Sequence, residues 1–98
     1  MLYAKTTGIV DAVKFDGRNV DVVYDFVTQW QEDFEFRVIY VDGKVDCIEI
    51  RLDTETPLLK LIYGAYLSCT DGKQYRVTPW NEFERIYTRI EDPDVTSK

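Results

Sequence analysis

The residues in this chain able to do chemistry are carboxylates, thiols and a run of aromatic rings. Glu32-Asp33 with Glu35, Asp53 with Glu55, and Glu82 with Glu84 are close enough in sequence to share a site. Paired carboxylates can divide the roles of general acid and general base when their surroundings push their pKa values apart. None of these has a companion nucleophile, and the chain contains no histidine. The commonest general base and the commonest metal ligand are therefore both missing, which argues against Ser-His or Cys-His catalysis and against zinc. The acids lack the spacing of a calcium loop. Cys47 and Cys69 stand 22 residues apart with no C-x-x-C companion, and read as reduced strand residues. There is no Walker loop and no dinucleotide fingerprint. An enzyme is not expected, nor is any cofactor or metal. The carboxylates read first as a solvated surface.

The aromatics concentrate in Leu61 to Tyr87, where Tyr63, Tyr66, Tyr75, Trp80, Phe83 and Tyr87 lie within 27 positions. Thr70-Asp71-Gly72-Lys73 is a hairpin turn signal. Leu67 and Cys69 alternate with Ser68 and Thr70 before it, and Tyr75 and Val77 alternate with Gln74 and Arg76 after it. A three-residue Asp71-Gly72-Lys73 loop pairs Cys69 with Tyr75 and Leu67 with Val77. Thr78-Pro79 reads as N-cap and first position of a short helix at about 79–84. Strand parity sends the aromatics to both faces of the sheet. About two thirds of them should be core, leaving one or two exposed tyrosines near Trp80 to anchor a partner or stack on a base. Few basic residues lie close enough in sequence to hold a phosphate.

Residues 7–15 read as a strand with Ile9, Asp11, Val13 and Phe15 on one face and Val10 and Ala12 on the other, closed by Asp16-Gly17. Asn19 caps a helix from Val20 to Gln31 whose apolar stripe is Val20, Val23, Tyr24, Val27 and Trp30. Phe34 to Leu52 reads as a second hairpin about Asp42-Gly43-Lys44. A three-residue loop pairing Val41 with Val45 keeps the apolar faces together. It also sets Glu35 opposite Arg51 and Arg37 opposite Glu49. Leu58, Leu59, Leu61 and Ile62 form a short strand, Gly64 marks a bend, and Ile86, Thr88 and Ile90 suggest a last strand. The expected fold is α+β: a mainly antiparallel sheet of about six strands, one amphipathic helix and one short helix. Residues 1–91 make a single domain and 92–98 a frayed polar tail.

Tyr63-Gly64-Ala65-Tyr66-Leu67, then Asp71-Gly72-Lys73-Gln74-Tyr75, then Pro79, Phe83 and Tyr87 resemble the C-terminal signature of a family of small uncharacterised phage and prophage proteins. Ends in that family read roughly GDYI, then GEFY, then P, F and Y. Its members often begin with a strand ending A-V-x-F-x-G, as do Ala12-Val13-Lys14-Phe15-Asp16-Gly17 here. The resemblance spans both ends and leaves residues 31 to 56 unmatched. Ala65 stands where those proteins usually carry Asp. The resemblance implies a phage origin and names no activity.

The net charge is −6, and its distribution matters more than its total. Residues 21–55 hold ten acids against Arg37, Lys44 and Arg51. That balance argues against direct binding to nucleic-acid phosphates, which needs a basic patch. It fits an acidic face meeting a basic surface on a partner. No apolar run approaches the roughly 18 residues of a membrane span, and no signal peptide is visible. The expectation is a non-enzymatic phage accessory protein in the cytoplasm of the infected bacterium. It would inhibit a host protein, such as a CRISPR or other anti-phage defence component, through Glu32, Asp33, Glu35, Asp46, Glu49, Asp53 and Glu55, helped by Tyr66 and Trp80. The alternatives are a virion assembly protein that self-associates, as a homodimer or larger, and a sponge for a nucleotide signal.

Overall fold

The structure, a computed structural model, describes residues 2–5 and 8–89. The elements run β1 (Leu2–Lys5), β2 (Gly8–Lys14), α1 (Val20–Thr28), β3 (Glu35–Val41), β4 (Lys44–Arg51), β5 (Leu59–Ile62), β6 (Tyr66–Thr70), β7 (Gln74–Thr78), α2 (Trp80–Ile86) and β8 (Thr88–Arg89). The fold is α+β and mainly antiparallel sheet, as the patterning predicts. The strands divide between two sheets rather than filling one: β7-β6-β2-β1-β8 and β3-β4-β5. Strand β1 has no counterpart in the sequence reading, because Leu2 to Lys5 is too short to show a period. Ile90 and the polar tail lie outside the described residues.

Strand parity explains why two cores form. Val13 on β2 and Phe15 just past its end face α1 and the three-stranded sheet, while Val10 and Ala12 face the other way. On β6, Leu67 and Cys69 join the first group and Tyr66 the second. Both faces of β6 are covered, so Tyr66 through Cys69 is buried throughout. The main core gathers Phe15, Val23, Phe26, Val27, Ile48, Ile50, Leu61 and Leu67 around α1. The second core lies under α2, where Tyr66 stacks on Phe83 at 4.0 Å and Phe83 on Tyr87 at 4.5 Å, with the Tyr3 ring edge-on to Tyr66 and Phe83. Such ring pairs add to the gain from burying their area.

The hairpins use one Asp-Gly-Lys sequence in two ways. In β6–β7 the loop is Asp71-Gly72-Lys73, with Cys69 opposite Tyr75 and Leu67 opposite Val77, as predicted. In β3–β4 the predicted three-residue loop is replaced by two residues, Asp42 and Gly43, both at positive φ, with Val41 paired to Lys44. That geometry twists with the strands, which is why two-residue hairpins favour it. A bulge after Val45 then absorbs Asp46, so that Ile39 still faces Cys47, Arg37 still faces Glu49 and Glu35 still faces Arg51. The apolar pattern dictated the register of the strand bodies; one extra residue moved from the loop into the ladder.

Both helices depart from prediction at their ends. Helix α1 stops at Thr28, where Trp30 and Gln31 N–H both donate to the Val27 carbonyl. Its buried face is Val23, Phe26 and Val27, so Phe26 takes the central place assigned to Tyr24. Tyr24 sits at the stripe's edge against Phe34 and Phe36. Helix α2 begins at Trp80 with Pro79 as its cap, one residue later than expected. Thr78 cannot cap it, because it is buried in the ladder opposite Tyr66.

Candidate binding surface

Of the seven acids expected to form a face, five lie on or beside two adjoining loops, Glu49 lines a depression with Glu35 on the sheet next to them, and Asp46 is apart. The 31–34 connection and the 52–56 connection lie side by side, tied by the Gln31 side-chain amide, which donates to the Asp33 and Leu52 carbonyls at 3.2 Å each. Glu32, Asp33, Glu35, Asp53 and Glu55 are all exposed there, with Arg51 across from Glu35. Asp53 Oδ1 accepts the Glu55 and Thr56 N–H groups at 2.8 Å each, and these bonds hold its carboxyl below the ordinary Asp value. Asp46 lies toward the other end of β4, in the bulge. Glu49 is half-buried on the outer face of the sheet, 3.9 Å from Arg37.

Of the two aromatics proposed beside these acids, one fails. Tyr66 is only 5% exposed, and its hydroxyl donates to Glu84 Oε2 at 2.8 Å. It belongs to the core under α2, because β6 is covered on both faces, and it offers nothing to a partner. Burial first, and then the Glu84 bond, push its phenol pKa well above the ordinary tyrosine value. Trp80 is exposed, and the exposed tyrosine expected near it is Tyr63.

Tyr63 and Trp80 are held by the backbone beneath them. A Cβ built on Gly17 would fall 3.1 Å from Tyr63 Cδ2, and one on Gly64 would fall 3.2 Å from Trp80 Cδ1. Each ring thus lies close on a glycine. Gly64 is fixed in turn by its N–H to the Phe15 carbonyl at 2.8 Å, while Phe15 N–H donates to Ala65 O at 3.0 Å. The turn carrying Gly17 is knitted by Asp16 Oδ1, which accepts Arg18 N–H and Asn19 N–H, and by Asn19 Nδ2, which donates to Lys14 O. Asn19 therefore shapes this turn rather than capping α1 through its side chain, as its position had suggested.

Two open depressions meet at the Tyr63 ring. One, about 380 Å³, is lined by Lys14, Phe15, Asp16, Tyr63, Gly64, Trp80 and Glu84. The other, about 490 Å³, is bounded by Arg18, Lys44, Tyr40 and Tyr63 over Gly17 and Gly43. Lys14 Nζ is 3.4 Å from Glu84 Oε2 and 5.8 Å from the Trp80 ring centroid. Arg18 and Lys44 have no ion pair among the described residues. The sequence reading found few cations near the aromatic stretch. Folding brings two to it from the turn before α1 and from the start of β4, 26 positions apart. Only sheet packing places them together, so no local signal would have found them.

The thiols are of a different kind. Cys47 and Cys69 are free and buried in separate sheets, and burial pushes both pKa values up. A thiol in that state is a poor nucleophile. Among the described residues no group of three or more His, Cys, Asp or Glu is placed to hold a metal ion, and no helix is long and apolar enough to cross a membrane. No family model, curated protein or solved structure matches the chain.

Proposed function

We propose that the protein is a non-enzymatic binding protein that docks its acidic end onto a basic surface of a partner protein. The observation supporting this is the Gln31 tie. It joins two loops into one surface carrying Glu32, Asp33, Glu35, Asp53 and Glu55, with Arg51 and Arg37 beside Glu35 at its sheet side. Like charges held together without local partners repel one another in the free protein, and a basic partner relieves that repulsion. Such a surface speeds encounter and selects the partner by sign, and its effect falls with salt. The phage-like ends of the sequence support a narrower version, in which the partner is a host protein, such as an anti-phage defence component, and docking blocks it in the bacterial cytoplasm.

Charge reversal tests this. Glu32, Asp33 and Glu55 are the residues to change, because among the described residues their carboxylates make no hydrogen bond to the backbone, whereas Asp53 holds its own turn. The triple variant Glu32→Lys, Asp33→Lys, Glu55→Lys should fold as the parent does and lose the partner. Unchanged affinity would rule the reading out. Self-association through sheet edges is the competing account, and predicts a salt-insensitive oligomer by light scattering.

A further inference from the structure

We infer that the surface at Tyr40, Tyr63 and Trp80 is a second binding site, independent of the acidic end, that takes a nucleoside phosphate. Three observations converge on this ligand class. First, the Tyr63 and Trp80 rings lie close on Gly17 and Gly64 and are otherwise open, Tyr63 72% and Trp80 53% exposed. An exposed aromatic face backed by the chain offers a stacking platform for a planar ligand. Second, Arg18 and Lys44 stand at the rim of the depression on the far side of Tyr63, neither in a salt bridge among the described residues, with the Asp16 carboxylate in the same lining near enough to feel the Arg18 charge. They are the cations available to a phosphate. Third, the two depressions, about 380 and 490 Å³, fall in the size range of small-molecule sites.

The nearby carboxylates oppose this arrangement only in part. Asp16 keeps its charge beside Arg18 but turns Oδ1 toward the Arg18 and Asn19 backbone N–H groups, and Glu84 is engaged by Tyr66 and Lys14. Asp42 and Asp46 flank Lys44 in sequence, so phosphate selectivity rests chiefly on Arg18. A base on Tyr63 with its phosphates toward Arg18 and Lys44 uses one ring and both cations. Trp80 closes the other side. The net charge of −6 and the crowded acids at the far end disfavour a long polyanion. The ligand is therefore a single nucleotide rather than a strand.

The test is a titration of the whole protein with each of the four common nucleoside diphosphates, followed by proton–nitrogen NMR. The two indole N–H groups report separately. Trp80 lies in the site, while Trp30 packs over Gly72 on the β6–β7 hairpin and serves as the internal control. Binding should shift the Trp80 indole and the Arg18 and Lys44 amides and leave the Trp30 indole in place. Tyr63→Leu and Arg18→Gln should each weaken binding by about tenfold, with an unmoved Trp30 signal showing that the fold is intact. Adenosine alone and inorganic phosphate alone should both bind more weakly than ADP. The inference is overturned if no diphosphate shifts these signals at millimolar concentration. It is equally overturned if adenosine or phosphate alone matches ADP, if both variants bind as the parent does, or if single-stranded oligothymidine binds more tightly than any mononucleotide.

Discussion

Tyr75 carries a buried hydroxyl whose only neighbour able to bond it among the described residues is the weak Cys69 thiol across the ladder. Burial, and then the sulfur's proximity, push its pKa up to about 12. An unsatisfied buried hydroxyl costs on the order of 1–3 kcal/mol, so Tyr75→Phe should leave stability unchanged or raise it by about 1 kcal/mol in urea unfolding. Loss of stability would mean that the hydroxyl is bonded in solution. The carboxylates act through pH. Backbone N–H bonds hold Asp16 and Asp53 below 3.8, and the Tyr66 hydroxyl, with Lys14 beside it, holds Glu84 below 4.5. Groups with depressed folded-state values stabilise the fold above their ordinary values and lose that contribution as pH falls through the folded-state ones. Unfolding midpoints measured from pH 6 down to pH 3 should therefore drop at the acid end of the series. Tyr66→Phe should make the drop shallower, because Glu84 then titrates nearer its ordinary value.

At the scale of elements, the two Asp-Gly-Lys hairpins supply a paired test. Both glycines sit at positive φ, but a Cβ on Gly43 meets nothing within 4 Å, whereas one on Gly72 would fall 2.8 Å from Trp30 Cδ1. Gly43→Ala should cost about 1–2 kcal/mol, the backbone term alone. Gly72→Ala should cost clearly more, since Trp30 must leave its place on Phe26 and Tyr75. Equal losses would show that Trp30 gives way freely. In the core, Ile50→Ala should cost about 2–5 kcal/mol, because Ile50 is fully buried between α1 and the three-stranded sheet. These elements also mark how far the sequence could be read. The apolar alternation of Phe36, Val38, Ile48 and Ile50 gave the register opposite Glu35 and Arg37, because a one-residue slip would turn those side chains to solvent. It could not separate a three-residue loop from a two-residue loop with a bulge at Asp46, since both leave that register unchanged. Nor could it divide the strands into two sheets, because each strand alone carries the same period.

Across the whole molecule, the acidic loops lie at one end of β3–β4 and Tyr40, Lys44 and the Tyr63 ring at the other. Strand β3 has seven residues, which at about 3.4 Å per residue separates the two ends by roughly 20 Å. That distance exceeds the Debye length of about 8–10 Å at physiological salt, so the charges at one end are largely screened from the other. The acidic end was legible in the sequence because all five of its acids sit within two short runs, 32–35 and 53–55. Tyr66 is illegible as a core residue from its strand alone, because only the assembled fold covers β6 on both faces. The cations around Tyr63 were illegible for the same reason: Arg18 and Lys44 meet only when the turn before α1 folds against the tip of the second hairpin.

The central claim is that the acidic end selects a protein partner by charge. The most direct measurement is affinity capture from bacterial lysate with the parent and with the Glu32→Lys, Asp33→Lys, Glu55→Lys variant, each at low and high salt and read by mass spectrometry. The account predicts one stoichiometric partner on the parent at low salt, lost at high salt and absent from the variant. A partner held equally by the variant, or recovery of the protein alone as an oligomer indifferent to salt, would contradict it.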